Sequence, residues 1–205
     1  MRGYYFITDA SLSAAGALED VKRAVEAGVR LVQYRNKTAS TRELVAGAQQ
    51  VREICARAGV HFIVNDRLDV AMVVEADGIH IGRDDMPFPD ARRLLGERKI
   101  IGLTVNSVEE ALAAQEMGAD YIAVAPIFPT STKSDAGPAC GVETLRSIRR
   151  ICRPQLRIAA IGGIDLSNVR SVIEAGADMV CAISAVVSKP DVAGEIARFQ
   201  REFGL

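Results

Sequence analysis

No stretch of this 205-residue chain approaches the roughly 20 apolar residues that a membrane span requires. The opening "MRGYYFITDAS" has neither the apolar h-region nor the cleavage site of a secretory leader, so a cytoplasmic setting is expected. There is no excess of charge of either sign. Lys plus Arg is 25 and Asp plus Glu is 26, a formal charge of −1, which excludes a general nucleic-acid or membrane-binding surface and makes any anion site local. The four cysteines, Cys55, Cys140, Cys152 and Cys181, form no close pair such as CxxC, so buried free thiols in a reducing compartment are expected rather than disulfides. No Gly/Ser-rich linker or low-complexity tract divides the chain, and no GxGxxG follows the first apolar run. No Cys or Ser stands beside a plausible base, so covalent nucleophilic catalysis is not indicated.

What the chain does have is one rhythm throughout. Eight short, β-rich apolar runs recur: "YYFITD" (4–9), "LVQYR" (31–35), "HFIVND" (61–66), "GIHIG" (78–82), "IIGLTV" (100–105), "YIAVAP" (121–126), "RIAAIGG" (157–163) and "MVCAIS" (179–184). Near-continuous apolar strands are expected where both faces of a sheet are covered. Segments of helical spacing lie between them. The clearest is 40–59, where Leu44, Ala48, Val51 and Cys55 fall on one face and Ser40 with Glu43 has capping-box spacing. Ser107 and Glu110 repeat the device, and Gly28, Gly59, Gly118 and Gly176 sit where helices should stop. "EAGVRLVQYR", "EMGADYIAVAP" and "EAGADMVCAIS" echo one another as helix end, glycine and strand. Eight strands alternating with helices in this length predict a single (β/α)8 TIM barrel over residues 1–205; a doubly wound open sheet is the alternative.

A barrel of this kind carries its chemistry at the carboxyl ends of its strands, and polar residues gather there. Gln33, Arg35 and Lys37 alternate along the second run, so one face carries all three. An inward Arg and Lys must meet anions, either a substrate or neighbouring acids in structural ion pairs. Asp66 and Asp85 follow the third and fourth runs; hard carboxylates without nearby His or Cys suit Mg2+ beside phosphate, unless Asp66 caps the next helix and Asp85 a turn. His80 reads as packed within its strand, and His61 carries no argument. "IGGIDLSN" (161–168) is a glycine turn opening a helix, and "ISAVVS" (183–188) reads as further strand. Both follow the seventh and eighth runs, where barrels of this class hold phosphate. The segment "GADYIAVAPIFPTSTKSDAGPACG" (118–141) ends an apolar strand in a long loop with hydroxyls and Lys133. Residues 127–139 are therefore expected to form a lid, or else an exposed loop.

Taken together, "VQYRNK", "VNDRLDVAMVVEADGIHIGRDD", "GADYIAVAPIFPTSTKSD", "AAIGGIDLSNV" and "EAGADMVCAISA" resemble the thiamine phosphate synthase family, in order and over nearly the whole chain. The resemblance implies a transferase that joins hydroxymethylpyrimidine diphosphate to thiazole phosphate, releases pyrophosphate and uses Mg2+. It implies small-molecule partners, no nucleic acid and no membrane, and leaves room for a homo-oligomer. Carried onto this chain, it implies that Gln33 contacts the pyrimidine, that Arg35, Lys37, Asn65 and Lys133 hold the diphosphate, and that Asp66 and Asp85 bind Mg2+. Thr130, Thr132, Gly163, Ile183 and Ser184 would surround the thiazole phosphate, and Lys133, Arg35 and Thr104 would act at the reacting bond. Three positions depart from the family pattern: Asn36 stands where Glu is common, Arg83 where Gln is, and Thr104 where Ser is. The related thiazole tautomerases are the nearest alternative; they are expected to lack the full diphosphate and metal set and to place His where Asn106 stands. A non-catalytic phosphate-binding barrel is the other.

Overall fold

A computed structural model of the protein describes residues 1–132 and 137–205. Its centre is a sheet in which every pairing is parallel and the first chain segment closes the ring. β1 (Gly3–Tyr4) pairs with β9 (Met179–Cys181), and β2 (Phe6–Ile7) pairs with β3 (Leu31–Tyr34). These are two halves of one barrel strand, interrupted at Tyr5, whose amide still donates to Val180 O at 2.9 Å. β4 (His61–Asn65), β5 (Gly78–Ile81), β6 (Ile100–Val105), β7 (Tyr121–Val124) and β8 (Arg157–Ile161) complete the circle in chain order. All eight expected strands are therefore present, and the fold is the (β/α)8 barrel.

The helices form the outer ring: α1 (Ala17–Glu26), α2 (Thr41–Ala58), α3 (Leu68–Val73), α4 (Phe88–Leu95), α5 (Val108–Met117), α6 (Gly141–Ile151), α7 (Val169–Glu174), α8 (Ile183–Val187) and α9 (Val192–Glu202). α2 follows the periodicity: Leu44, Ala48, Val51 and Cys55 are buried on one face, and each large side chain so buried stabilises by about 1.5–3 kcal/mol. Its start is the expected capping box, with Ser40 Oγ accepting from the Glu43 amide and Glu43 reaching back to the Ser40 amide. α5 realises half of that device. Ser107 caps the Glu110 amide, but the Glu110 carboxylate accepts from the Asn106 amide instead. Gly59 and Gly118 close α2 and α5, while Gly28 and Gly176 lie one residue past the C-caps of α1 and α7, Ala27 and Ala175.

The repeated acid before a strand has one job. Asp77, Asp120 and Asp178 each accept from the amide of the second residue of the preceding strand, Phe62, Ile101 and Ile158, at 2.8, 2.8 and 2.9 Å. This ties neighbouring strands together at the closed end of the barrel, opposite the site. "ISAVVS" is not strand. It is α8, because Val186 and Val187 gain more by burial against the helical layer than their β-propensity is worth. The four cysteines are free, and Cys55, Cys152 and Cys181 are buried. No helix among the described residues is long and apolar enough to cross a membrane.

Candidate active site

A cavity opens at the carboxyl ends of the strands. It brings together Gln33, Arg35 and Lys37 from β3 and its loop, Asn65 and Asp66 from the end of β4, and Thr104 from β6. From the other side come Thr130 and Thr132 after β7, Gly163 after β8, and Ile183 and Ser184 after β9. Residues as far apart in sequence as Gln33 and Ser184 thus meet because parallel strands end on the same rim. Lys133 lies outside the described residues.

Both expected cations already have acid partners. Arg35 Nη1 donates to Asp9 Oδ2 at 2.7 Å, and the two side chains are 16% and 4% exposed. Thr8 locks the Arg35 backbone, accepting from its amide at 2.8 Å and donating to its carbonyl at 3.0 Å. The structural ion pair is therefore real here, but it engages one arm of a guanidinium that has five donors, leaving others for a ligand. Lys37 Nζ bonds to Asp66 Oδ2.

Asp66 does not cap α3, whose N-cap is Arg67 with no side-chain cap bond. It sits instead in the left-handed region at φ 58, with its amide donating to His80 O at 2.8 Å. Such backbone strain at a strand end persists where the surroundings impose it. Burial works to raise the Asp66 carboxyl, but hydrogen bonds with Lys37 and Asp85 and the Lys37 charge hold it below the usual range. Asp85 is displaced the other way, raised by burial and by Asp66 beside it. Asp85 also serves its turn, accepting from the Gly82 amide at 2.7 Å. Two adjacent carboxyls pushed apart in this manner form a place that favours a cation. Among the described residues no group of three or more His, Cys, Asp or Glu side chains gathers for a metal.

The opposite end is built from backbone. Gly162 and Gly163 turn the chain at φ 103 and 62. The loop after β7 is pinned to this turn, with the Ile127 amide donating to Ile161 O at 2.9 Å and the Phe128 amide to Gly162 O at 3.0 Å. Its return leg is tied too, through Cys140 to Pro126 O and Gly141 to Ile127 O at 2.9 and 3.1 Å. Ile127 is buried, and residues 133–136 of the expected 127–139 lid lie outside the described residues. Asn168 Nδ2 donates to Gly163 O at 2.9 Å and holds the turn against the start of α7.

Two of the departures resolve locally. Asn36 Oδ1 accepts from the Thr38 and Ala39 amides, each at 3.2 Å, and shapes the loop into α2. Arg83 turns away from the cavity to Glu110 at 2.9 Å, with its side chain 62% exposed. Sequence reasoning missed Tyr5, which lines the cavity floor, and undervalued His80, which is packed as expected yet bonded through both ring nitrogens, to Tyr121 Oη and Thr104 Oγ1 at 2.9 Å each. The only signal for Tyr5 was a phenol inside an apolar strand, where its hydroxyl needs a partner.

The family profile described as thiamine monophosphate synthase matches residues 4–186. The chain belongs to the thiamine monophosphate synthase family. Among this family's members, the thiamine-phosphate synthase of Methanosarcina barkeri is 51% identical over 196 residues, covering 96% of this chain and 88% of that protein. The thiamine-phosphate synthase of Methanospirillum hungatei is 46% identical over 198 residues, covering 96% and 95%. A solved structure, thiamine phosphate pyrophosphorylase from Pyrococcus furiosus, superposes with a TM-score of 0.90 at 37% identity, covering 98% of this chain and 95% of the other.

Proposed function

We propose that this barrel joins a hydroxymethylpyrimidine diphosphate to a thiazole phosphate in the cavity described above, working as one domain over residues 1–205. The activity itself, thiamine phosphate synthesis by a transferase, follows from the family. What supports the residue roles is one observation: a single cavity has a cation-and-carboxylate end, around Arg35, Lys37 and Asp66, with Asp85 interacting with Asp66 outside the lining, and a backbone-amide end, around Gly163 and Ser184. Two ends of that kind suit two different phosphorylated substrates.

In this reading the bond from the pyrimidine methylene to the diphosphate oxygen breaks, and pyrophosphate leaves with the electron pair. The thiazole nitrogen lone pair then forms the new C–N bond, leaving a thiazolium. No enzyme nucleophile is required. Arg35 and Lys37, with Asn65 and Lys133, hold and neutralise the leaving group, and Gln33 orients the pyrimidine. Thr130, Thr132, Ile183, Ser184 and the Gly163 amide hold the thiazole phosphate. Thr104 supplies a hydroxyl at the reacting bond. The acid pair fits a hard divalent cation, because one or two carboxylates plus substrate phosphates are the usual protein share of a Mg2+ shell. Asp66 and Asp85 would hold it, and when bound it would offset charge on the departing pyrophosphate. Lys37, which pairs with Asp66 here, would turn to the diphosphate. Free thiols on all four cysteines fit a reducing cytoplasm.

The test is pyrophosphate release, measured with both substrates and with each alone, in Mg2+ and in chelator. Release is expected only with both substrates and Mg2+. Release from the diphosphate alone at the same rate would identify a hydrolase. No release under any condition would leave a phosphate-binding barrel without this activity.

A further inference from the structure

A file of hydrogen bonds crosses the floor of the cavity through the barrel interior. Gln33 Nε2 donates to Tyr5 Oη at 2.6 Å, and Tyr5 Oη lies 2.9 Å from Tyr121 Oη. Tyr121 Oη lies 2.9 Å from His80 Nδ1, and His80 Nε2 lies 2.9 Å from Thr104 Oγ1. Gln33, Tyr5, Tyr121 and His80 are 2%, 1%, 0% and 8% exposed. The two ends of the file, Gln33 and Thr104, face the cavity, while Tyr121 lies buried behind them. The sheet is shaped for it: any Cβ at Gly102 would collide with the Tyr121 ring. Ring contacts hold the orientation, edge-to-face between Tyr5 and Tyr121 at 5.9 Å and stacked between His80 and Tyr121 at 5.5 Å. Burial raises both phenols, so they stay protonated.

Such a file has a polarity. Each hydroxyl donates one proton, and a neutral imidazole donates through one nitrogen and accepts through the other. Only two proton orders make every link while both phenol protons stay within the file and the imidazole is neutral. With the Gln33 amide N–H as the first donor, the order runs through Tyr5 and Tyr121 to an accepting His80 Nδ1, and His80 Nε2–H donates to Thr104. The reverse order needs Gln33 Oε1 turned to Tyr5 and the proton on His80 Nδ1. Changing one link alone leaves a buried group unsatisfied.

We infer that this file fixes which end of the Gln33 amide faces the substrate, and so makes the pocket select a 4-aminopyrimidine over a 4-oxopyrimidine. The inference rests on the pyrimidine site proposed above. With one Nε2 hydrogen committed to Tyr5, the position of the amide is fixed, and Oε1 with the second Nε2 hydrogen is left for the ligand. A carbonyl oxygen accepts from the amino group of the thiamine pyrimidine, but it meets a second acceptor on the oxo analogue. Accommodating that analogue means reversing the whole file. Tyr121 is therefore a positioning residue that acts through Tyr5 and Gln33.

The experiment compares kcat/KM for the 4-amino diphosphate and its 4-oxo analogue, in wild type and in Tyr121→Phe. Phenylalanine keeps the ring packing and cuts the file in the middle. Wild type is expected to prefer the amino compound by about 10⁴-fold, as a site built to bond a polar group does. Tyr121→Phe is expected to shrink that preference by about 10–100-fold, with the KM for thiazole phosphate unchanged. Tyr5→Phe, cutting the neighbouring link, should do the same. The ¹⁵N spectrum of the wild-type imidazoles reads the order directly, since the chain has only two histidines and His61→Gln removes the other signal. A neutral Nε2–H tautomer at His80 is expected. An Nδ1–H tautomer, or an unchanged preference in folded Tyr121→Phe, would overturn the inference. Absence of turnover of the amino compound by wild type would instead refute the pyrimidine site, while the tautomer would still report the order of the file.

Discussion

Replacing Gly163 by alanine tests the phosphate end of the site and the loop that leans on it in one experiment. Gly163 has φ 62, a conformation an alanine adopts at a cost of about 1–2 kcal/mol. Its added Cβ would lie 2.6 Å from the Pro129 carbonyl oxygen and 2.7 Å from Phe128 Cβ. Neither neighbour is the end of a flexible side chain, and the Phe128 amide is tied to Gly162 O at 3.0 Å, so the 127–129 segment must move as a unit. Overpacking of this kind costs about 1–3 kcal/mol. Gly163→Ala should therefore destabilise the protein by about 2–5 kcal/mol, which lowers Tm by about 5–20 °C for a chain of this size. It should also raise the KM for thiazole phosphate more than the KM for the diphosphate, because the turn amide and the loop threonines lose their common geometry. Thermal unfolding and steady-state kinetics with each substrate varied in turn measure both effects. An unchanged Tm would refute the packing argument. A lowered Tm with an unchanged thiazole phosphate KM would remove the Gly163 amide from the phosphate site.

Two other substitutions probe the rest of the cavity. Asp85→Asn should stabilise the metal-free protein by about 1 kcal/mol, since an amide can still accept from the Gly82 amide and can donate to Asp66 without a second negative charge. A raised carboxyl means that ionised Asp85 costs folded-state stability; that cost is absent below the unfolded value of about 3.9 and grows as pH rises through the folded one. The gain should thus be largest at neutral pH and vanish in acid, while Mg2+-dependent turnover falls; a variant that is less stable and turns over normally at the same Mg2+ would contradict the acid-pair reading. Ser184→Ala should raise the KM for thiazole phosphate by about 10–100-fold, the loss expected for a hydrogen bond to a charged group, with a smaller effect on the diphosphate; equal effects on both would reassign Ser184.

Much of this protein is written in short-range pattern. Alternation of apolar runs with helical spacing located every barrel strand, and Ser40 with Glu43 marked the start of α2 three residues ahead of its bond. Because parallel strands must end together on one rim, the polar residues that follow them could be assembled into a candidate site before any contact was known. Gln33, Arg35, Lys37, Asn65, Asp66, Thr104, Gly163 and Ser184 all reach the same cavity for that reason. Partner choice was another matter. That Arg35 rests on Asp9, that Lys37 takes Asp66, and that Arg83 leaves the site for Glu110 depends on the register and tilt of neighbouring strands and helices, which no local pattern encodes. The same holds for "ISAVVS", whose valines favour a strand until the helical layer offers them a better burial. His80 reads as one more packed side chain in sequence. Only closure of the barrel brings Tyr5, Tyr121 and Thr104, from three other strands, into a single file with it, in which each of the three links is 2.9 Å long. Propensity and periodicity act over a few residues and survive in the sequence, whereas a hydrogen bond is decided by tenths of an ångström between segments that only the folded sheet makes adjacent.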